Sequence, residues 1–393
     1  MMKNHKENIA RNQSQNKNQQ TLHDRIKLHL MKTMEWSLSD AGKASDLTVG
    51  LLSSAGVWHK KIAQGISNEI LTSSEIRRIQ RFFGEMVIDY QAFGKMIYAL
   101  LANGQKVKIL LDRTNWKFGK KNINIFVATI ICDNFGTKQS FAVPIVWNIL
   151  EKQGISNTAE RKMIMQRILD IVGRENIEVV MGDREFIGEE WIAFLLDELI
   201  PFIMRIRGSI YVVHRGKRVQ IKTLCKDLGM GEKREWMVKL NGKKIRLAAT
   251  LSSEGELVAV IASLNVKGSL LSNYRLRWLI ELFFKSIKSR GFNVEETHMT
   301  DPSKIKILFA MISYATALSV QVGIVRDYFD PIKLKNHGRP TYSLFTYGFD
   351  AMREILRGAT PRFITLIKEI RFLLPNFLFL SQDENTIYAL SYE

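Results

Sequence analysis

Apolar and polar positions change their spacing about a quarter of the way along the chain. Between positions 21 and about 100, apolar residues recur at intervals of three and four, a period typical of amphipathic helices. From Lys106 the pattern becomes short apolar runs separated by turn residues, such as KVKILLD, NINIFVATIICD and QSFAVPIVW. We therefore predict a helical N-terminal domain over residues 21–104, followed by three strands that form an antiparallel meander.

Helical and strand patterns alternate after the meander. A helix, a strand (IEVVMGD), a second helix and a further strand (PFIMRIRG) follow one another, and another helical pattern comes later. Between them lie short alternating runs, where the pair Asn241-Gly242 predicts a tight hairpin. The sequence thus predicts a mixed α/β domain over residues 105–300 with a mostly-β insertion at about 208–268. This order of elements is that of an RNase H-like domain, although other α/β proteins share it in part.

The two ends of the chain differ from this α/β region. Residues 1–20 are polar and rich in Asn, Gln and Lys, so we predict a disordered tail and no secretory signal. Residues 301–393 show helical patterns around a basic loop, which predicts a helical C-terminal region. The longest apolar run, over 307–320, is shorter than the ~20 residues that span a bilayer, so we expect a core helix and no membrane association.

The charge of the chain adds information about its partners. Lysine and arginine number 57 against 39 acidic residues, a formal net charge of +18. This excess is spread along the whole chain and favours a polyanion such as nucleic acid as the partner. Hydrophobic residues make up 46%, which indicates a sizeable folded core. Two cysteines without zinc-binding spacing are typical of a reducing cytoplasm.

Three acidic residues stand where chemistry is expected in such a domain. Asp112 is predicted to end the first strand, Asp183 to end the fourth, and Glu281 to lie on the later helix. Taken singly, each aspartate is more often a turn or cap residue. Together, three carboxylates would repel one another unless a cation neutralises them. Hard oxygen ligands favour Mg²⁺ or Mn²⁺ over Zn²⁺, and two such ions would serve phosphodiester hydrolysis and transesterification.

The segment YRLRWLIELFFKSIK places four polar side chains at regular spacing. At about 100° per residue, Tyr274, Arg277, Glu281 and Lys288 fall within a stripe about 60° wide on an α-helix. The other positions are nearly all apolar, so we predict one helix that is packed on most sides and directs Glu281 outward between cations. The alternative is an ordinary ion-pair stripe on an amphipathic helix.

These residues carry a resemblance to a known family. The chain resembles the DDE transposases of bacterial cut-and-paste insertion sequences, specifically the insertion sequence four group, whose Y-x2-R-x3-E-x6-K signature is matched at every spacing. The segments LLDRTNW and VVMGDREF extend the similarity, which covers roughly Lys106 to Leu356. The resemblance implies that Asp112, Asp183 and Glu281 are catalytic and hold two Mg²⁺ or Mn²⁺ ions. It implies that Tyr274, Arg277 and Lys288 contact DNA.

The resemblance also implies a reaction and partners. The expected enzyme nicks the end of its element, forms and reopens a DNA hairpin, and joins the freed end to target DNA. It would bind double-stranded terminal inverted repeats as a homodimer in the bacterial cytoplasm, associated with the nucleoid. No G-x-x-x-x-G-K-[ST] motif occurs, so no nucleotide triphosphate is expected.

Two other functions compete with this interpretation. One is an RNase H-fold nuclease that selects DNA structure, and the other is a catalytically silent, DNA-binding descendant of a transposase. Trp236 lies in the predicted β insertion, where it could stack on an unpaired base or pack in a local core. His214, His298 and His337 are each isolated from other catalytic residue types, which favours structural or DNA-facing positions.

Overall fold

Five helices open the computed structural model, which describes residues 22–66, 72–102, 104–131 and 139–357. Asp89 begins the fifth helix by accepting hydrogen bonds from the backbone N–H groups of Gln91 and Ala92. The predicted helical periodicity is confirmed here, whereas the tail over 1–20 lies outside the described residues. The helices are α1 over residues 22–34, α2 (Leu38–Ser54), α3 (His59–Ile66), α4 (Thr72–Glu85) and α5 (Tyr90–Leu101).

A single ten-stranded sheet forms the centre of the molecule, in the order β3-β2-β1-β4-β5-β10-β9-β8-β6-β7. The first three strands are antiparallel, as predicted, and β4 and β5 run parallel to β1. Helix α6 (Thr158–Val172) leads from β3 to β4, and helix α7 (Glu189–Asp197) leads from β4 to β5. The predicted order of elements is therefore confirmed. These five strands are β1 (Val107–Phe118), β2 (Lys121–Ile131), β3 (Val143–Ile149), β4 (Ile177–Gly182) and β5 (Phe202–Ile206).

The predicted β insertion extends this same sheet. Its last strand, β10, pairs antiparallel with β5 and so joins the insertion to the central strands. The predicted hairpin at Asn241-Gly242 is confirmed, because both residues have positive φ, at 49° and 80°, as a tight two-residue turn requires. The elements are β6 (Tyr211–His214), β7 (Lys217–Gln220), α8 (Ile221–Leu224), β8 (Lys233–Leu240), β9 (Lys243–Leu251) and β10 (Leu257–Ala262).

Helices follow the sheet. They are α9 (Leu270–Arg275), α10 (Trp278–Lys285), α11 (Pro302–Phe329) and α12 (Leu344–Leu356). Helix α11 is much longer than the apolar run that predicted it, and by length and composition it could cross a membrane. Its apolar window is nevertheless entirely buried within the protein, so the prediction of a core helix is confirmed.

One aromatic cluster joins the N-terminal helices, the sheet and α11. Phe93 of α5 lies 6.3 Å from Trp147 of β3 and 6.2 Å from Tyr314 of α11, measured between ring centroids. Trp147 also packs against Phe309 at 5.4 Å and donates its indole N–H to the Lys306 carbonyl at 3.2 Å. The N-terminal helices therefore share a core with the strands that carry the candidate site.

Candidate active site

Asp112 occupies a position inside β1 rather than at its end. Parallel pairing of β1 with β4 stops at Leu111 and Gly182, so Asp112 is the first residue beyond that pairing. The antiparallel pairing with β2 continues to Phe118, which is why the predicted end of the strand was wrong. Asp112 still emerges at the edge where β4 stops, because the two strands part there.

Asp183 lies directly after β4, which ends one residue earlier than the sequence predicts. It begins a 3₁₀ turn over Arg184–Phe186, and its Oδ1 accepts the backbone N–H of Glu185 at 2.8 Å. Since β4 is parallel to β1, Asp183 follows β4 at the edge where the two strands part after Leu111. The two aspartates therefore face one region of the molecule.

The signature segment is not the single α-helix that its spacing predicts. Helix α9 ends at Arg275, and the N–H of Arg277 bonds back three residues to the carbonyl of Tyr274, as in a 3₁₀ turn. Helix α10 then carries Glu281, and a π-helical turn over Ser286–Arg290 carries Lys288. The 3₁₀ turn places Arg277 over the Tyr274 ring. The π-helical turn has more residues per turn than an α-helix, so it rotates Lys288 out of the predicted stripe of polar side chains.

Burial of this segment is also one-sided, contrary to the prediction. Ile280 and Phe283 are fully buried, but the Trp278 side chain is 58% exposed and Leu276 and Leu279 are only partly buried. The segment therefore packs along one face and leaves another face open to solvent.

Arg277 connects two of the three acids. Its Nη1 donates to Asp112 Oδ2 at 3.0 Å, and its Nη2 donates to Glu281 Oε1. The pKa of Asp112 is raised to about 6, chiefly by burial; Arg277 and the Arg113 N–H oppose the rise, and Asp183 and Glu281 add to it. Arg277 therefore joins Asp112 and Glu281, and Asp183 follows the neighbouring strand β4.

Tyr274 packs against the same guanidinium. Its ring centroid lies 5.9 Å from the Arg277 guanidinium carbon, a cation–π contact. The phenol oxygen is buried without a hydrogen-bond partner among the described residues, and burial raises its pKa to about 12. The hydroxyl is therefore a donor that remains free for a ligand at this site.

Lys288 lies apart from the three acids. Its Nζ donates to the Asn115 carbonyl of β1 at 2.8 Å and forms an ion pair with Glu295 at 3.0 Å. The structure thus brings Tyr274, Arg277 and Glu281 together, and it places Lys288 farther along β1.

A buried polar network supports the two aspartates, and the sequence analysis did not identify it. Arg113 Nε donates to Glu185 at 2.6 Å, and its Nη1 donates to Asn124 of β2 at 3.0 Å. Ser156 donates to Glu185 through both its backbone N–H and its hydroxyl at 2.9 Å, and Arg161 donates to the Ser156 carbonyl at 2.6 Å. Arg113 directly follows Asp112, and Glu185 lies two residues after Asp183. This closeness to the two aspartates is the sequence feature from which the network could have been predicted.

The donor set suits a hard divalent cation, but its present arrangement does not surround one. Asp112, Asp183 and Glu281 offer carboxylate oxygens, the ligands that Mg²⁺ and Mn²⁺ prefer. Throughout the part of the chain that the structure describes, no three acidic, histidine or cysteine side chains are grouped closely enough to hold an ion. Arg277 supplies the positive charge between Asp112 and Glu281 instead.

Comparisons with known proteins identify the family. Residues 103–318, just over half of the chain, match the family described as Transposase DDE domain. No curated protein matches the chain. A solved structure that matches is the cryo-EM structure of the piggyBac transposase synaptic complex with hairpin DNA, with a TM-score of 0.46 and 12% identity over 93% of this chain and 85% of that chain. From the match over half its length, this chain belongs to the transposase DDE domain family.

Proposed function

We propose that this protein is a DNA transposase of the insertion sequence four group that moves its element by a cut-and-paste reaction. The observation that carries the proposal is the contact of Arg277 with both Asp112 and Glu281, beside Asp183. A cation between two acids, at the edge where parallel strands part, is an arrangement suited to phosphate chemistry. Membership of the DDE family supports the same activity.

The three acids would hold two Mg²⁺ or Mn²⁺ ions. When bound, such ions activate a water or a 3′-hydroxyl and stabilise the leaving oxygen of a phosphodiester. Arg277 would then exchange its carboxylate partners for a phosphate of the bound DNA, since a guanidinium pairs with either group through the same planar donors. The free hydroxyl of Tyr274 would donate to a neighbouring phosphate oxygen, and Lys288 would bind the backbone farther from the scissile bond.

The proposal assigns a role to each part of the chain. Residues 105–300 would form an RNase H-like catalytic domain, with the insertion at about 208–268 serving hairpin formation and opening. Residues 21–104 would bind double-stranded terminal repeats, and residues 301–393 would complete a homodimer. We place the enzyme in the bacterial cytoplasm, on the nucleoid. The net charge of +18 supports DNA as the partner.

Analysis of reaction products tests this function. The intact protein, incubated with Mg²⁺ and a labelled duplex carrying the terminal inverted repeat, should produce a nick, then a hairpin, then a reopened end that joins target DNA. Cleavage of branched DNA without preference for the repeat would favour the structure-selective nuclease. Binding without any cleavage would favour the silent descendant. Either result would overturn the proposal.

A further inference from the structure

Three exposed aromatic rings from distant parts of the chain meet near the tip of the β1–β2 hairpin. The His298 ring lies between Phe118 at 5.1 Å and Trp58 at 6.2 Å, measured between centroids. Phe118 lies at the tip of the β1–β2 hairpin, Trp58 precedes α3, and His298 precedes α11. Phe118 and Trp58 are 38% and 41% exposed, so a substantial part of both aromatic rings is in contact with solvent.

Polar contacts join the two segments that carry His298 and Trp58. Asn293 Nδ2 donates to the Ala55 carbonyl at 3.3 Å, and Lys61 forms an ion pair with Glu296 at 2.8 Å. Both contacts join the segment after α10 to the N-terminal helices. The three rings therefore form a built surface rather than a chance meeting of loose side chains.

The charge around the rings is positive. Lys60 lies over the Trp58 ring at 5.9 Å, and the hairpin tip carries exposed lysines on both sides of Phe118. Within the described residues, none of these lysines forms an ion pair with a carboxylate, whereas Glu295 and Glu296 are each neutralised by a lysine. The unpaired lysines are Lys60, Lys117, Lys120 and Lys121.

We propose that Phe118, His298 and Trp58 form a stacking surface for the unpaired bases of a DNA strand that leaves the active site. Aromatic rings among lysines recognise exposed bases and phosphates together, whereas bases in an intact duplex are already stacked and do not reach such rings. This inference rests on the proposed function, because it takes the strand that enters the cluster of acids as its ligand.

The position of the surface suits that strand. Phe118 lies six residues beyond Asp112 on β1, about 20 Å away. That distance is about six base steps of duplex DNA. Between them, Thr114 and Trp116 are buried, whereas Asn115 and Lys117 on the opposite face of the strand are exposed. A strand held at the acids would therefore reach the rings within a few nucleotides, passing Lys288 beside Asn115.

A binding experiment with two DNAs tests the surface. Fluorescence anisotropy would compare a blunt duplex with the same duplex bearing a short unpaired extension on one strand. Phe118→Ala should weaken binding of the extended DNA roughly tenfold and that of the blunt duplex less than about twofold, because one stacked base contributes ~1–3 kcal/mol. Phe118→Trp, which keeps a ring, should preserve the preference. The fluorescence of a 2-aminopurine base in the extension should be quenched when the intact protein binds. This quenching should be lost with Phe118→Ala.

Control variants separate stacking from other effects. Tyr328→Ala removes a ring that is 50% exposed elsewhere and should change neither affinity. Lys120→Gln should weaken both DNAs alike, because it removes only a phosphate contact. If a thermal unfolding assay shows that Phe118→Ala does not fold, Trp58→Ala and His298→Ala replace it. Each should also weaken binding of the extended DNA more than binding of the blunt duplex.

Two results would overturn the stacking surface. One is equal weakening of both DNAs by Phe118→Ala, and the other is no change in either. The repeat-cleavage assay distinguishes this failure from failure of the proposed function. A protein that cleaves the repeat without preferring the extended DNA retains its function and loses this surface. One that prefers the extended DNA through Phe118 without cleaving keeps the surface and loses the function.

Discussion

At the scale of single residues, one guanidinium organises the candidate site. Arg277 is predicted to contact DNA, and in the structure it pairs with Asp112 and Glu281. The Arg277 and Asp112 side chains are only 13% and 16% exposed, so water compensates little if the pair is broken. The proposed exchange of these carboxylates for a phosphate would therefore break an ion pair that is largely shielded from water.

The first prediction concerns Arg277→Gln. This variant should lower the free energy of unfolding by roughly 3 kcal/mol in a chelator, because it leaves buried carboxylates unpaired. Added Mn²⁺ should stabilise the variant more than the intact protein, because the ion replaces the missing positive charge. Thermal unfolding with and without Mn²⁺ measures both effects. Arg275→Gln, at an exposed neighbouring position, is the control, and an equal Mn²⁺ effect on all three proteins would contradict the account.

The second prediction concerns the network behind the aspartates. Glu185→Ala should lower the free energy of unfolding by roughly 3–5 kcal/mol, because it leaves the Arg113 guanidinium buried without its carboxylate. Glu190→Gln breaks an exposed ion pair with Lys162 and should cost less than about 1 kcal/mol. Urea unfolding compares the two variants, and similar losses would show that the buried network does not stabilise this edge of the sheet.

At the scale of elements, the sequence predicts some features better than others. Helix and strand periodicity gave the order of elements around β1 and β4, because the pattern of burial along each element is local. The signature segment was predicted as one α-helix, and it is broken at Arg277 and widened at Ser286. These breaks accompany the packing of the segment against β1 and the contact of Arg277 with Asp112. Arg277 and Asp112 are 165 positions apart in the sequence.

The third prediction concerns the crossing of α11 and α12. The two helices approach so closely that a Cβ on Gly323 would overlap the Leu344 carbonyl, and one on Gly348 would overlap the Ser319 carbonyl. Gly323→Ala should therefore lower the free energy of unfolding by at least about 2 kcal/mol. Gly42→Ala in α2 meets no atom within 4 Å and should be neutral or stabilise the helix slightly. Equal effects in denaturant unfolding would contradict this packing.

The fourth prediction concerns the contact of α1 with α11. His29 stacks on Tyr314, with its Nδ1 2.8 Å from the phenol oxygen, and burial lowers the pKa of His29 to about 4. Between pH 6.5 and 4 the unfolded chain binds a proton that the folded protein does not. The free energy of unfolding should therefore fall as the pH drops through this window, by about 3 kcal/mol at most. His29→Gln should remove that part of the dependence, as followed by urea unfolding at each pH.

At the scale of the whole molecule, a single sheet and one shared aromatic core connect the N-terminal helices, the candidate site and the C-terminal helices. The sequence indicated the acids because each stands beside a recognisable strand or signature. It could not indicate the Phe118, His298 and Trp58 cluster, because those rings meet only in the folded chain. The net charge of +18 is also a property of the whole molecule, and it favours a polyanionic partner.

The most direct test of the account is DNA cleavage by variants of the acids. Asp183→Asn and Glu281→Gln should each abolish Mg²⁺-dependent nicking of a duplex carrying the terminal repeat, while DNA affinity measured in parallel stays within about threefold, because these acids are assigned to catalysis and affinity comes mainly from phosphate contacts. Glu190→Gln should nick as the intact protein does. Nicking by either acid variant at the rate of the intact protein would contradict the assignment of this site.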